Sequence, residues 1–236
     1  MTGKVAVVVF PGSNCEHDVV HALRLLGGDA ELVWHRVSDL SEFSGVVLPG
    51  GFAHGDYLRT GAIARFSPVM PEVERLAAAG APVLGICNGF QVLCEAGLLP
   101  GAMVANRDLE FISRPVHVRV ESTGGVLTAN ASVGDVLRIP LNSYEGNFVA
   151  PPAALDALES AGRVVLRYCD AEGNVDESSN PNGSTNAIAG IVGAAGNVAG
   201  LMPHPERASE AILGSADGRV LLESFLASLH SAAVVT

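Results

Sequence analysis

The chain has 236 residues, 48% hydrophobic and 17% charged, so it can bury a sizeable core, which excludes intrinsic disorder. Acidic residues outnumber basic ones by 25 to 14, and the net charge of −11 argues against a nucleic-acid or anionic-membrane surface. None of the four cysteines forms a Cys-x-x-Cys pair. The apolar runs are too short for a signal peptide or a membrane span, so we predict a cytoplasmic protein with reduced thiols.

Short apolar strands alternate with helical patterns in the first part of the chain. Strands are predicted at 4–10, 31–37, 45–48 and 82–86, and helices at 15–26, 63–79 and 88–95. Continuously apolar strands with helices between them are typical of a parallel sheet that is covered on both faces. We therefore predict a doubly wound, mostly parallel α/β fold.

The pattern changes after residue 115. Further strands are predicted at 116–120, 125–128, 136–141, 164–168, 188–192 and 198–202, with helices at 153–160 and 219–230. Turns rich in glycine and asparagine separate these strands, which favours an antiparallel extension of the same sheet. Residues 170–185 are polar and are predicted to form a long exposed loop. Since there is no linker or repeat, we predict a single domain over 1–236.

Cys87 lies in the strongest local signal, Gly85-Ile86-Cys87-Asn88-Gly89, between a buried strand and a helix. This is a G-x-C-x-G version of the nucleophile elbow, in which a sharp strand-to-helix turn presents the nucleophile. The helix N-terminus favours a thiolate, and the backbone amide of Asn88 points to where an oxyanion would form. The alternative is a buried cysteine in an ordinary tight turn.

A cysteine nucleophile needs a base and a group that orients the base. His204 and Glu206, in Met-Pro-His-Pro-Glu at the end of the last predicted strand, are the candidates. Residues two apart in an extended segment point to one side, so Glu206 can hold one nitrogen of His204 while the other faces Cys87. A surface loop with a solvated histidine and glutamate is the alternative.

Gly51 belongs to a glycine pair, Gly50-Gly51, that follows the predicted strand 45–48. Glycines just past a parallel strand let backbone N–H groups approach a ligand closely. The N–H of Gly51 could therefore join that of Asn88 in a two-donor oxyanion hole. The alternative is an ordinary strand-to-helix turn, in which a glycine pair can also occur.

These motifs resemble those of the class I, or triad, glutamine amidotransferases. The resemblance to one subfamily, the glutaminase subunits of phosphoribosylformylglycinamidine synthase, extends nearly end to end. It is carried by FPGSNC at 10–15, PGGF at 49–52, GDYLR at 55–59, GAIARF at 61–66, GICNGFQ at 85–91, EGNF at 145–148, NPNGS at 180–184 and MPHPER at 202–207. The chain departs from the subfamily's usual residues at 53–54 and 143–144, where it has Ala-His and Ser-Tyr.

The resemblance implies a flavodoxin-like fold and a mechanism. Cys87 would attack the side-chain amide of glutamine, and the amides of Gly51 and Asn88 would hold the oxyanion. His204 would pass a proton to the leaving ammonia while Glu206 orients its ring. A glutamyl thioester on the cysteine would then be hydrolysed to glutamate.

The resemblance also implies partners. Ammonia would pass to a large synthetase subunit, where ATP activates formylglycinamide ribonucleotide for conversion to the amidine in purine biosynthesis, with a small accessory subunit in the same complex. ATP and Mg²⁺ would belong to that synthetase, so no cofactor or metal is expected in this chain. It has no G-x-x-x-x-G-K-[ST] loop, which agrees. Gln91, one turn after the elbow, is expected to contact the substrate glutamine.

Other interpretations remain open from the residues. An amidotransferase of another pathway, or a cysteine hydrolase, could share the elbow, and a catalytically silent binding subunit could share the fold. His17 and His21 have the i,i+4 spacing of a metal site, with Cys15 close by in sequence. The turn 11–14 after the first strand could bind a phosphate.

Overall fold

The computed structural model describes residues 3–229, which contain eleven strands and five α-helices. The strands are β1 (Lys4–Val9), β2 (Asp29–Trp34), β3 (Gly45–Leu48), β4 (Val83–Ile86), β5 (Ala102–Val104), β6 (Ile112–Val120), β7 (Val136–Ser143), β8 (Asn147–Val149), β9 (Val164–Cys169), β10 (Ile188–Val192) and β11 (Val198–Leu201). The helices are α1 (Glu16–Leu25), α2 (Met70–Ala78), α3 (Asn88–Glu95), α4 (Pro152–Ser160) and α5 (Arg219–Ser228).

Nine strands form one sheet in the order β2-β1-β3-β4-β11-β10-β9-β6-β7, and β5 and β8 form a separate pair. Neighbouring strands from β2 to β11 are parallel, whereas those from β11 to β7 are antiparallel. The predicted α/β fold, with a parallel first half and an antiparallel extension, is confirmed. No helix in the described part of the chain is long and apolar enough to cross a membrane.

The central position of β3, β4, β10 and β11 in the sheet agrees with their apolar composition. Every residue of β3, β4, β10 and β11 is buried, as expected where helices or loops cover both faces of a sheet. The edge strand β7 instead alternates between buried and less buried residues, so only one of its faces packs on the core. Burial therefore decreases from the parallel centre towards the antiparallel edge.

The parallel register brings three strand ends to one edge of the sheet. Leu48 pairs with Gly85, and Ile86 pairs with Leu201, so β3, β4 and β11 end at nearly the same level. The residues just beyond these ends include Gly51, Cys87 and His204. Their proximity thus follows from topology, as is general for ligand sites at the carboxyl ends of parallel strands.

Two predicted elements were wrong. Residues 125–128 form turns, not a strand, and Gly125 has a left-handed φ of 91°. The predicted helix 63–79 is interrupted: a 3₁₀ turn covers Ala64–Phe66, and α2 begins only at Met70. Pro68 explains the break, because a residue before proline avoids the helical region, and Ser67 has an extended ψ of 144°.

Several elements differ from their predicted extents. The short strands β5 and β8 were not predicted, and β6 begins four residues earlier than expected. Within the loop predicted to be exposed, Asn180, Asn182 and Ser184 are buried. The side-chain nitrogen of Asn182 donates to the carbonyl of Gly146 at 2.7 Å, so the end of this loop packs inward. The predicted end of the last helix at residue 230 lies outside the described residues.

Candidate active site

Cys87 occupies the turn between β4 and α3. Its backbone has φ 50° and ψ −106°, a sparsely populated region for a residue with a side chain. Such strain costs on the order of 1–3 kcal/mol and is found mostly at functional sites. The backbone N–H of Cys87 donates to the carbonyl of Leu201 at 2.8 Å, which ties the elbow to the end of β11. The sequence prediction of a strained strand-to-helix elbow at this cysteine agrees with this geometry.

Close backbone packing around the elbow requires glycine on both sides. A Cβ on Gly89 would lie 1.9 Å from the carbonyl oxygen of Leu48, and one on Gly85 would lie 2.7 Å from the carbonyl of Gly89. The first turn of α3 can therefore lie directly against the end of β3. This contact sets the position of the helix N-terminus, and so of Cys87, relative to the neighbouring strand.

His204 and Glu206 form a buried pair beyond the end of β11. The Nδ1 of His204 lies 2.6 Å from the Oε1 of Glu206, and both residues are 2% exposed. Glu206 lies in a 3₁₀ turn, Pro205–Ala208, so a turn rather than a fully extended segment brings it to the ring. The backbone N–H of His204 donates to the carbonyl of Pro140 at 2.8 Å, which fixes the segment against β7.

The electrostatic surroundings favour a charged His204. Burial alone lowers its pKa, but the carboxylate of Glu206, together with the neighbouring sulfur groups of Cys87 and Cys15, outweighs burial and raises the pKa of His204 well above its usual value. Its Nε2 is buried and has no hydrogen-bond partner in residues 3–229. An imidazolium N–H is thus available to Cys87 or to a substrate.

The two predicted oxyanion donors lie on either side of the elbow. Gly51 has φ 147°, and a Cβ there would lie 2.7 Å from the Cα of Ser13, so only glycine fits. Its N–H takes no part in the flanking hydrogen bonds, which run from Phe52 to Gly12 and from Asn14 to Gly50. The N–H of Asn88 is at the first position of α3, where a helix offers no internal acceptor. Their joint use as an oxyanion hole stays a prediction.

A cavity of about 510 Å³ opens at this edge of the sheet. Cys87, His204, Gly51 and Gln91 all line it. Gln91 is buried and held at both ends, since its Nε2 donates to the carbonyl of Glu145 at 2.6 Å and its Oε1 accepts from Asn88 at 2.8 Å. Contact between Gln91 and a substrate stays a prediction. Among residues 3–229 its Nε2 makes one hydrogen bond, so the second amide hydrogen is available for such a contact.

Sequence reasoning assigned no role to several other residues that line the cavity. They are Cys15, Asp56, Glu145 and Arg207. Each lies in or beside one of the sequence motifs shared with the amidotransferase subfamily. Those motifs could therefore have identified these residues as part of the site. Ser143 and Tyr144, which depart from the subfamily's usual residues and were expected at the glutamine pocket or the partner-facing rim, line the cavity as well. Cys15 follows β1, and its sulfur lies 3.3 Å from the Nη2 of Arg207.

The structure does not support the metal site at His17 and His21 or the phosphate site in the turn 11–14. Within residues 3–229, the group of His, Cys, Asp and Glu residues able to hold a metal is Cys15, His204 and Glu206, whose donor atoms lie within 4.8 Å of one another. His17 and His21 are outside it, and the Nε2 of His21 pairs with Glu210 instead. In the turn 11–14, the N–H groups of residues 13 and 14 donate to backbone carbonyls, which leaves them unavailable to a phosphate.

Comparison with known proteins agrees with this geometry. The family model for the CobB/CobQ-like glutamine amidotransferase domain matches residues 2–221. A relative from Chlorobaculum tepidum, named phosphoribosylformylglycinamidine synthase subunit PurQ, is 54% identical over 97% of this chain and 98% of its own length. The relative of the same name from Gloeobacter violaceus is also 54% identical, over 95% of this chain and 97% of its own.

A solved structure extends the comparison to three dimensions. A chain of PurLQS from Thermotoga maritima superimposes with a TM-score of 0.86 at 39% identity, covering 97% of this chain and 100% of its own. The fold and the sequence together define a glutamine amidotransferase domain. Within that class, the chain belongs to the family of PurQ subunits of phosphoribosylformylglycinamidine synthase.

Proposed function

We propose that this chain hydrolyses the side-chain amide of L-glutamine to glutamate and ammonia, and that the ammonia serves the synthesis of formylglycinamidine ribonucleotide. The observation that carries the proposal is the opening of Cys87 and the buried His204–Glu206 pair into one cavity. Membership of the PurQ family supports the same reaction and the same pathway.

The arrangement is suited to acyl transfer through a thioester. The thiolate of Cys87 attacks the amide carbon of glutamine, and the N–H groups of Gly51 and Asn88 stabilise the negative charge that develops on oxygen. The imidazolium of His204 donates its proton to the departing nitrogen, so that ammonia leaves and a glutamyl thioester remains. Water, deprotonated by the neutral His204, then releases glutamate and restores the thiolate.

The proposal includes partners for the ammonia. A large synthetase subunit would use ATP and Mg²⁺ to activate formylglycinamide ribonucleotide, and a small accessory subunit would complete the complex. Support comes from the name of the PurQ relatives as synthase subunits and from the PurLQS structure. Three residues that line the cavity, Phe52, Phe111 and Tyr144, also have exposed large apolar side chains. We place the reaction in the cytoplasm, since it needs Cys87 as a free thiol.

Glutamate release from glutamine tests this proposal. The purified chain is expected to release glutamate slowly, and release is expected to rise sharply when the synthetase partners, ATP and formylglycinamide ribonucleotide are added. The reason is that partners cover the exposed apolar rim and complete the site. Release that does not respond to these partners would contradict the assigned pathway, and no release under either condition would leave a binding subunit as the better interpretation.

Replacing Glu206 with glutamine is expected to lower kcat by about tenfold to a thousandfold, because His204 keeps its place but loses the carboxylate that orients and charges it. The pKa of His204 is expected to fall in the same variant, since Glu206 raises it. Histidine NMR titration of the full chain measures this pKa directly. A loss of activity with an unchanged pKa of His204 would contradict the positioning role.

A further inference from the structure

Two carboxylates line the cavity without a basic side chain in contact with either of them. Asp56 and Glu145 both line the space that Cys87 opens into. Within residues 3–229, neither carboxylate has a Lys, Arg or His nitrogen within 4.0 Å. Arg207, the arginine that lines the same cavity, pairs with Asp18 instead, at 3.2 Å. Neither carboxylate is therefore neutralised by direct contact with a basic side chain of the described residues.

The position of Asp56 is fixed by the residue next to the nucleophile. The Nδ2 of Asn88 donates to Asp56 at 3.1 Å, and its Oδ1 accepts from the N–H of Ala53 at 3.0 Å. Asp56 is half-buried, and burial together with the charge of Glu145 raises its pKa to about 6. A carboxylate in this state gains from any cation that enters the cavity.

Ser143 independently indicates a polar ligand in this cavity. Its side chain is 4% exposed, and its Oγ has no hydrogen-bond partner in the described residues. Buried hydroxyl groups are rarely left without a partner, because desolvation without a hydrogen bond is costly. Ser143 lines the cavity, so a ligand there with a hydrogen-bonding group could satisfy this oxygen.

We propose that Asp56, with Glu145 beside it, binds the α-ammonium group of the amino-acid substrate and thereby selects free glutamine over amides that lack this group. The inference rests on the proposed function, since it names how the same site recognises its substrate. In an extended glutamine, the α-nitrogen lies four bonds, or about 5 Å, from the side-chain carbonyl carbon. Asp56 lines the same cavity as Cys87, and its carboxylate accepts from Asn88, the residue that follows Cys87.

Alkylation of Cys87 measures this recognition without any partner. Two electrophiles are compared on the full chain: the diazoketone analogue of L-glutamine, which keeps the α-amino acid end, and iodoacetamide, which lacks it. In the unaltered protein, the diazoketone is expected to react much faster at equal concentration. In Asp56→Asn, the ratio of the two rates is expected to fall by about tenfold to a hundredfold, because a charge-assisted hydrogen bond to the analogue is lost.

The controls separate the possible failures. Asp156→Asn makes the same chemical change on the exposed face of α4, outside the cavity, and is expected to keep the ratio. An unchanged iodoacetamide rate in Asp56→Asn shows that Cys87 and the fold are intact. If Asp56→Asn does not fold, Glu145→Gln takes its place, with an expected fall in the ratio of about threefold to tenfold.

Each outcome then has one meaning. A rate ratio unchanged in both Asp56→Asn and Glu145→Gln, or a fall equal to that in Asp156→Asn, overturns the ammonium site and leaves the glutaminase proposal standing. If the unaltered chain shows no preference for the diazoketone either alone or in the assembled complex with its synthetase partners, the glutamine site is absent, and both proposals fail. A fall in the ratio confined to the cavity variants supports the ammonium site.

Discussion

Replacing Cys87 with alanine is expected to lower glutamine-dependent product formation by the assembled complex at least about a thousandfold, while product formation from added ammonia is retained. The reason is chemical: without the sulfur no thioester forms, and the oxyanion donors alone give only slow hydrolysis. The synthetase consumes ammonia whatever its source, so added ammonia replaces the ammonia released from glutamine. The measurement is a pair of progress curves, one with glutamine and one with an ammonium salt, at matched ATP and ribonucleotide concentrations.

Cys94→Ala is the matched control for this experiment. Cys94 lies on the same helix, α3, and its sulfur donates to the carbonyl of Pro100 at 3.7 Å. Burial raises the pKa of the Cys94 thiol well above its ordinary value, so it stays protonated and unreactive. Both activities are expected to survive in Cys94→Ala. A loss of ammonia-dependent synthesis in Cys87→Ala would mean that Cys87 serves assembly, which the proposed mechanism does not predict.

The parts of the site that are local in sequence could be predicted from it. The elbow at Cys87 needs only a strand, a turn with glycines and a helix, all within a short window, and the strand-end position of His204 follows from the hydrophobic pattern. Because parallel strands end at one edge, these two residues could be expected to meet. The distance between His204 and Glu206 then depends only on a short turn.

The parts that depend on long-range packing could not be predicted. The roles of Asp56 and Glu145 arise because Asn88 and Gln91 link two loops that are far apart in the sequence. Pro68 interrupts a pattern whose apolar spacing alone favours one helix, so a single backbone restriction overrides periodicity. The strands β5 and β8 are three residues each, too short to show a pattern, and exist only because they pair with each other.

Gly89→Ala is expected to lower the free energy of unfolding by at least about 3 kcal/mol, or to prevent folding. The added Cβ would lie 1.9 Å from the carbonyl oxygen of Leu48, and 2.6 Å from its carbon, both of which are backbone atoms in a fully buried strand. Neither side can give way by a rotamer change, so α3 must move away from β3 and take the elbow with it. Denaturant unfolding of the full chain measures the loss.

Gly193→Ala provides the comparison for that substitution. A Cβ on Gly193 would have its nearest neighbours at 3.5 Å or more, which is ordinary contact, and its φ lies outside the left-handed region. Its free energy of unfolding is expected to change by less than about 1 kcal/mol. Where Gly89→Ala still folds, the displaced helix N-terminus should also slow the alkylation of Cys87 by iodoacetamide, which Gly193→Ala should not do. Equal stability of the two variants would mean that α3 does not rest against the end of β3, and the geometric basis for the placement of Cys87 would fail with it.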